Sequence, residues 1–246
     1  MDNTQLVNLS YQLAAYRSMD VIANNLANVS TPGFKRESTK FEEYLSQGDP
    51  LEGQDGSQSI SFVQDKGTIR DLSEGNIVNT GSQFDLAIAG PGYFAVQTPS
   101  GDTRYTRDGH FRLDATGTIV DEEGNSLQGS GGAITISTED GDIHFGKDSI
   151  VTGAKGQLGQ VKVVNFDNER ALVKEGGNLY STTQTANAVA TPNILQGQLE
   201  SSNVSPVTEI SHMLEVMRSY QATATLSQSQ QQLTSNALDK LSAVES

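Results

Sequence analysis

Apolar side chains near the start of the chain recur at steps of three and four residues, the spacing of one face of a helix. The pattern runs from Leu6 to Val29. It predicts an amphipathic helix of roughly 25 residues, about 37 Å long at 1.5 Å per residue. The helix is expected to end at Ser30 to Gly33, because Pro32 disfavours helical backbone in the residue before it and Gly33 completes the break.

A second helical pattern occupies the other end of the chain. Ser205 is a suitable N-cap, Pro206 suits the first helical position, and the carboxylate of Glu209 would complement the helix dipole. Beyond them, two rows of residues repeat every seven positions, as the a and d rows of a coiled coil do. The rows are Ile210, Met217, Ala224, Gln231, Leu238 and Met213, Tyr220, Ser227, Thr234, Leu241.

These two rows are apolar at both ends and polar in the middle. They fit either an intramolecular pair of helices or helices that pack against neighbouring subunits. The polar centre weakens a self-sufficient two-helix core, and isolated helices are marginal in water. We therefore favour terminal helices that become ordered when they pack against partners.

The middle of the chain follows a β pattern. Phe84, Leu86 and Ile88 alternate with smaller or polar residues, which predicts a half-buried strand. Pro91 and Gly92 suit positions i+1 and i+2 of a type II turn, so Gly90, Pro91 and Gly92 form a predicted structural turn. Frequent Gly-containing turns separate further short strands, which is typical of an all-β sandwich or barrel-like domain. Those strands include residues 118–120, 133–136 and 161–166.

The predicted fold class is α+β, with terminal α-helices that pair as a coiled-coil-like layer around an inserted, mainly-β domain. Residues 1–35 would form the N-terminal helix of a helical assembly domain, and residues 204–246 its C-terminal helix. Residues 81–203 would form the mainly-β outer domain. Residues 36–80 would be an extended connection, within which Ser46 to Ser61 read as a flexible loop.

Composition and charge exclude several classes of function. The net charge of −14 argues against nucleic-acid binding, which needs a basic surface. The local cluster of Lys35, Arg36 and Lys40 is interpreted as a solvated segment after the helix. No apolar stretch approaches the roughly 20 residues that span a bilayer, so membrane insertion is not expected. The first residues lack the features of a cleaved secretory signal, and composition alone predicts a soluble cytoplasmic protein.

A search for catalytic chemistry finds no site. Residues 141–148 have the frame of a phosphate-binding loop, but Asp148 stands where a Ser or Thr would hold magnesium. The three His residues show no metal-ligand spacing, and the chain has no Cys. We therefore expect no enzymatic activity, cofactor, metal or small-molecule substrate. Two alternatives stay open: a secreted β-domain adhesin or carbohydrate-binding module with helical oligomerisation ends, and a hydrolase with a Ser-His-Asp triad assembled from distant positions.

Four blocks of the sequence, in order, resemble the family of flagellar rod and hook proteins. Residues 24–36 (NNLANVSTPGFKR) resemble its N-terminal signature. Residues 81–97 (GSQFDLAIAGPGYFAVQ) resemble its strand-turn-strand block, and residues 105–124 the block after it. Residues 198–204 and 217–222 resemble its C-terminal signature. Residues 134–191 match no block.

Within this family, the length and the single modest β domain fit the rod rather than the longer hook subunit. The proximal-rod F type is favoured over the distal-rod G type, because Ser30 to Gly33 carries Pro where the distal-rod pattern more often has Asn. The resemblance implies a structural subunit of the flagellar basal-body rod. Its terminal helices would assemble into a helical tube that transmits motor torque.

The resemblance also implies partners and a location. The partners would be other rod subunits, further copies of the chain and the flagellar export apparatus. The location would be the periplasm-spanning rod, reached without cleavage of a signal peptide. Asn24, Asn25 and Asn28 are expected to cap or bridge backbone groups where the first helix ends. The residues expected at the assembly interface are Leu9, Leu13, Ile22, Asn24, Asn25, Leu26, Asn28, Ile210, Met213, Met217, Tyr220, Leu238 and Leu241.

Overall fold

The computed structural model describes residues 3–47 and 59–244, which form two compact units. The helical unit comprises residues 3–27, 37–47, 59–70 and 205–244. The β unit comprises residues 28–36 and 71–204. Residues 28–35 were expected with the N-terminal helix and residues 36 and 71–80 in the connection, whereas this division places them in the β unit. Phe34 and Lys35 of the first segment are buried there.

The helical unit contains two helices and one hairpin. Helix α1 spans Asn3–Ala27 and α2 spans Pro206–Val244, as the apolar spacing predicts. Strands β1 (Glu37–Gln47) and β2 (Ser59–Arg70) pair antiparallel, with Glu37 opposite Arg70. The expected extended connection is thus a hairpin where it is described, and most of the loop expected at Ser46 to Ser61 lies outside the described residues. Helix α1 packs against α2 and against both strands, while the coiled-coil character of the helix pair stays a prediction.

The β unit is built from short strands and two 3-10 turns, which confirms the mainly-β prediction. Its strands are β3 Ile77–Asn79, β4 Leu86–Ile88, β5 Tyr93–Gln97, β6 Thr103–Thr106, β7 Arg112–Leu113, β8 Ile119–Val120, β9 Ser126–Gly129, β10 Gly132–Ala133, β11 His144–Phe145, β12 Ile150–Gly153, β13 Gly156–Gln160, β14 Val163–Asn165, β15 Val173–Lys174, β16 Leu179–Ser181, β17 Asn187–Ala188, β18 Ile194–Gln196 and β19 Gln198–Glu200. The 3-10 turns are Thr138–Asp140 and Glu169–Ala171.

The largest sheet runs in the order β15-β16-β6-β5-β9-β8-β7, with β14 also paired to β5. A separate three-stranded sheet contains β11, β12 and β13, while β4 pairs with β18 and β3 with β19. The described pairs are antiparallel, as expected for short strands joined by tight turns.

Two apolar clusters fill the β unit. The larger contains Leu86, Phe94 and Ile119, and the smaller packs Tyr93 against Phe166 and Tyr180. The prediction that β4 is half-buried is wrong, because Leu86, Ala87 and Ile88 are all buried. The face of β4 expected to meet solvent is covered by other parts of the unit.

Candidate assembly interface

Helix α1 carries an exposed apolar stripe, which we call the α1 stripe, formed by Leu9, Leu13 and Tyr16. Steps of four and three residues place these side chains on one helix face. Leu13 is 63% exposed and Tyr16 is 60% exposed. Leu9 and Leu13 were predicted interface residues, and Tyr16, which lies in the same periodic pattern, was not singled out. Large apolar side chains exposed in a row mark a surface that gains free energy when it is covered.

Helix α2 carries a matching row, the α2 stripe, formed by Val207, Ile210, Leu214 and Met217. All four side chains are exposed, and Val207 is 75% exposed. Ile210 and Met217 were predicted from the seven-residue repeat. Val207 and Leu214 were missed, although steps of three and four residues from Ile210 could have found both.

The other predicted row of α2 is turned towards the rest of the helical unit. Met213 and Tyr220 are half-buried, whereas Ile210 and Met217 are exposed. The side chains of Leu238 and Leu241 lie outside the described residues. The two rows of the predicted coiled coil therefore face different surroundings, at least in their first half.

The two helices run antiparallel within the helical unit. Asn8 Nδ2 donates to Gln230 Oε1 at 3.4 Å, and Tyr11 Oη is hydrogen-bonded to Ser219 Oγ. The earlier residue of α1, Asn8, contacts the later residue of α2, Gln230, as expected for antiparallel helices. Each helix thus has one face occupied by its partner helix and another that presents an exposed stripe.

The remaining predicted interface residues of α1 take different positions. Ile22 is buried and Leu26 is half-buried, so the chain itself already covers them. Asn24 is exposed. Asn28 belongs to the β unit, where its Oδ1 accepts a hydrogen bond from Thr31 Oγ1 at 3.3 Å. Their part in assembly stays a prediction.

Asn25 is fully buried and joins three segments of the helical unit. Its Nδ2 donates to Glu37 O at 2.7 Å, and its Oδ1 accepts from Glu37 N at 3.0 Å. The same Nδ2 donates to Glu209 Oε2 at 3.1 Å. Glu209 is fully buried in the first turn of α2, where the helix dipole favours a carboxylate. We call Asn25, the Glu37 backbone and Glu209 the polar clamp.

A second buried polar group lies inside the β unit. Lys35 Nζ contacts Glu200 Oε1 at 2.6 Å and donates to Ser73 O at 2.7 Å, while Arg107 Nε lies 3.1 Å from Glu200 Oε2. We call Lys35, Arg107 and Glu200 the charge lock. The interpretation of Lys35 as a solvated residue is wrong, because its side chain is 3% exposed. A buried charge needs a partner, and Glu200, 165 residues later in the sequence, supplies it.

Arg107 also fixes the predicted turn. Its Nη1 donates to Gly92 O and its Nη2 to Gly90 O, each at 2.8 Å. Gly90 and Gly92 both have positive φ angles, which only Gly adopts readily. The strands on either side, β4 and β5, belong to different sheets. The turn therefore links two sheets and does not close a β-hairpin.

Gly33 holds the segment after α1 against the β unit. Its N donates to Glu200 O at 2.7 Å, and its φ is +68°. A Cβ at this position would lie 2.5 Å from the carbonyl carbon of Arg107, so a larger residue does not fit. The neighbouring Phe34 is buried beneath Lys174, whose Nζ lies 4.3 Å from the ring centre.

One carboxyl group of the β unit has a shifted pKa. Burial raises the pKa of Asp108 to about 6, although the hydrogen bond from His110 N at 2.9 Å and the His110 ring act in the opposite direction. His110 Nδ1 lies 2.8 Å from Asp85 Oδ1.

The described residues contain no group of three or more His, Cys, Asp or Glu side chains that could hold a metal ion. A groove of about 410 Å³ borders the charge lock, with Leu72, Pro91 and Tyr93 along it and Glu74 and Asp167 among its polar residues. Neither helix within the described ranges is long and apolar enough to cross a membrane.

Comparison with known proteins finds three matching family models. Residues 13–35 match the model described as flagella basal body rod protein. Residues 87–157 match the flagellar hook protein FlgE/F/G D1 domain, and residues 195–240 match the flagellar basal body rod FlgEFG protein C-terminal region.

The chain is also similar to individual rod proteins over most of its length. It is 39% identical to the flagellar basal-body rod protein FlgF of Caulobacter vibrioides, over 99% of this chain and all of that protein. It is 34% identical to FlgF of Mesorhizobium japonicum, over 92% of each. It is 37% identical to the basal-body rod protein FlgG of Bacillus subtilis, over 83% of this chain and 86% of that protein.

Proposed function

Because the chain belongs to the family of flagellar basal-body rod proteins, we propose that its terminal helices assemble with neighbouring rod subunits into a helical tube. The chain is a structural subunit of the bacterial flagellar rod. The match over the full length of an FlgF protein favours the F type ahead of the G type. No observation favours the adhesin alternative.

The exposed stripes of α1 and α2 carry the proposal. Covering a side chain as exposed as Leu13 contributes about 1–2 kcal/mol, so several such contacts stabilise an interface. The occupant we propose is the helical unit of a neighbouring rod subunit, because the relatives are rod proteins by name. Contacts between unlike surfaces that do not close into a ring generate a helical tube.

The terminal helices gain order as the tube forms. The middle of α2 is polar, and the exposed stripes leave much of the apolar surface of both helices in water. Ordering a residue costs about 1–2 kcal/mol for its backbone, which so few buried contacts offset only in part. The assembled tube transmits motor torque through many small packed contacts.

The proposal extends to location and activity. The subunit is non-enzymatic, passes through the flagellar export apparatus and lies in the periplasm-spanning rod. Mass spectrometry of purified basal bodies tests the absence of cleavage. A peptide that contains Asp2 and Asn3 is expected, and a uniformly shortened N-terminus contradicts uncleaved export.

The test of assembly is Leu13→Asp, expressed in cells that lack the chromosomal copy. The exposed position tolerates the change in the free subunit, but a carboxylate cannot be buried in the interface. We expect no completed rod by electron microscopy, no motility, and an unchanged thermal transition of the β unit. The matched control is Gln228→Asp, which adds the same charge at an exposed polar position of α2 and should leave motility intact. Complete rods in the Leu13→Asp strain would contradict the proposal.

A further inference from the structure

The polar clamp lies at one end of the helical unit, together with most of the burial in that unit. The buried side chains in the described part of α1 are Ala15, its middle residue, and Val21, Ile22 and Asn25 in its second half. Among the described side chains of α2, Glu209 in the first turn is the one that is buried.

The chemistry of the clamp is specific to an amide. Asn25 pairs with both backbone groups of Glu37, as a residue on a neighbouring strand would. A carboxylate at position 25 could accept from Glu37 N but could not donate to Glu37 O or to Glu209. Asn25 therefore satisfies backbone groups at the start of β1 and, at the same time, a buried carboxylate at the start of α2.

We propose that Asn25 is a positioning residue that pre-orders one end of the helical unit in the free subunit. The clamp holds the second half of α1, the start of β1 and the first turns of α2 together before assembly. The first half of α1 and the later turns of α2 become ordered only against neighbouring subunits. This inference rests on the proposed function, because it divides ordering on assembly into a part already formed and a part still to form.

This division has a consequence for assembly. The α2 stripe begins immediately beside the clamp, at Val207 and Ile210. The α1 stripe begins at Leu9, in the half of α1 away from the clamp, and ends just past the middle of the helix. In the free subunit the α2 stripe is therefore already presented on an ordered helix. The incoming subunit docks first through α2, and α1 completes its helix afterwards.

Hydrogen exchange of the full chain, read by mass spectrometry, tests the proposal. In the free wild-type subunit, amides of residues 15–27 and 209–217 should exchange at least about 10-fold more slowly than those of residues 5–12 and 225–235. Uniform exchange along both helices, whether fast or slow, would overturn the proposal.

Substitutions then test the clamp itself. Asn25→Asp places a second carboxylate against Glu209, and protection of residues 15–27 and 209–217 should fall by about 10-fold or more. Adding Glu209→Gln restores one carboxylate and one amide, so the double variant should recover part of this protection. Asn24→Asp adds the same charge at the exposed neighbouring position and should change protection little.

Protection unchanged in Asn25→Asp, or equal losses in Asn25→Asp and Asn24→Asp, would contradict the role of the clamp. Amides of the β unit serve as the internal reference, and their exchange should be the same in all variants. Failure of this test is distinct from failure of the proposed function. The latter is read from rods in Leu13→Asp cells and requires no measurement on the clamp.

Discussion

The two units of this subunit differ in how completely they cover their apolar side chains. The β unit encloses most of its apolar residues in two clusters and pairs the buried charges of Lys35 and Arg107 with that of Glu200. The helical unit leaves Leu9, Leu13 and Tyr16 exposed, while it buries Asn25 and Glu209. A unit with an apolar interior and paired charges is complete within one chain. A unit with exposed apolar stripes needs other chains to cover them.

The largest effects are expected when both helices are removed, because the comparison holds that the β unit folds without them. A fragment covering residues 28–204, which holds both parts of the β unit and the intervening strands β1 and β2 of the helical unit, should fold and unfold cooperatively in urea. A fragment covering residues 74–203 lacks Phe34 and Lys35, so it opens the site of a buried ring and leaves Glu200 without one partner. Losses of about 3–5 kcal/mol are typical for each of these changes, enough to unfold a marginal domain.

Urea titration monitored by tyrosine fluorescence and circular dichroism compares the two fragments. Equal stability would show that the segment after α1, with Phe34 and Lys35, contributes little to the free energy of unfolding of the β unit. Failure of the longer fragment to fold would show that the β unit needs the two helices for its stability. The contrast between a self-sufficient β unit and a dependent helical unit would then be wrong.

The next largest effect is expected from Glu200→Gln in the full chain. The change leaves Lys35 and Arg107 buried without their shared carboxylate, and the free energy of unfolding of the β unit should fall by about 3–5 kcal/mol. Glu139→Gln is the matched control, because Glu139 forms an exposed pair with Lys155, and it should change stability by about 0.5 kcal/mol or less. Similar effects of the two substitutions would show that the charge lock contributes no more than a surface pair.

The smallest effect concerns Asp108 and depends on pH. Its pKa in the folded chain, about 6, lies above the ordinary value of 3.8, so the folded state holds the proton more tightly. Stability from this group is therefore present at pH 4 and is lost as the pH rises through 6. Asp108→Asn keeps the Oδ1 acceptor for His110 N and removes the buried charge.

We expect Asp108→Asn to be more stable than the wild type by about 1–2 kcal/mol at pH 7.5, and nearly equal to it at pH 4. Thermal melts at the two pH values provide the measurement. A variant that is less stable at pH 7.5 would show that the hydrogen bonds of the carboxylate outweigh the free energy lost by burying it.

The sequence predicts the local features of the fold and not its long-range polar pairs. Both helices follow from apolar spacing, and Leu13 and Ile210 follow as exposed positions of periodic rows. The pairing of Asn25 with Glu209 spans 184 residues, and a single polar residue leaves no periodic signal. Burial of Lys35 likewise leaves no periodic signal in the sequence. Charged residues are usually exposed, and only the fold reveals a partner at Glu200.

The span of the charge lock also sets an order of events in time. Glu200 lies 165 residues after Lys35, so a chain that emerges from its N-terminus exposes the lysine long before the glutamate. Contacts of such high sequence separation form slowly, because a long loop must close before they stabilise anything. Until β19 has emerged, Lys35 and Arg107 lack the carboxylate of Glu200. The last strand to emerge, β19, therefore decides when the β unit becomes rigid.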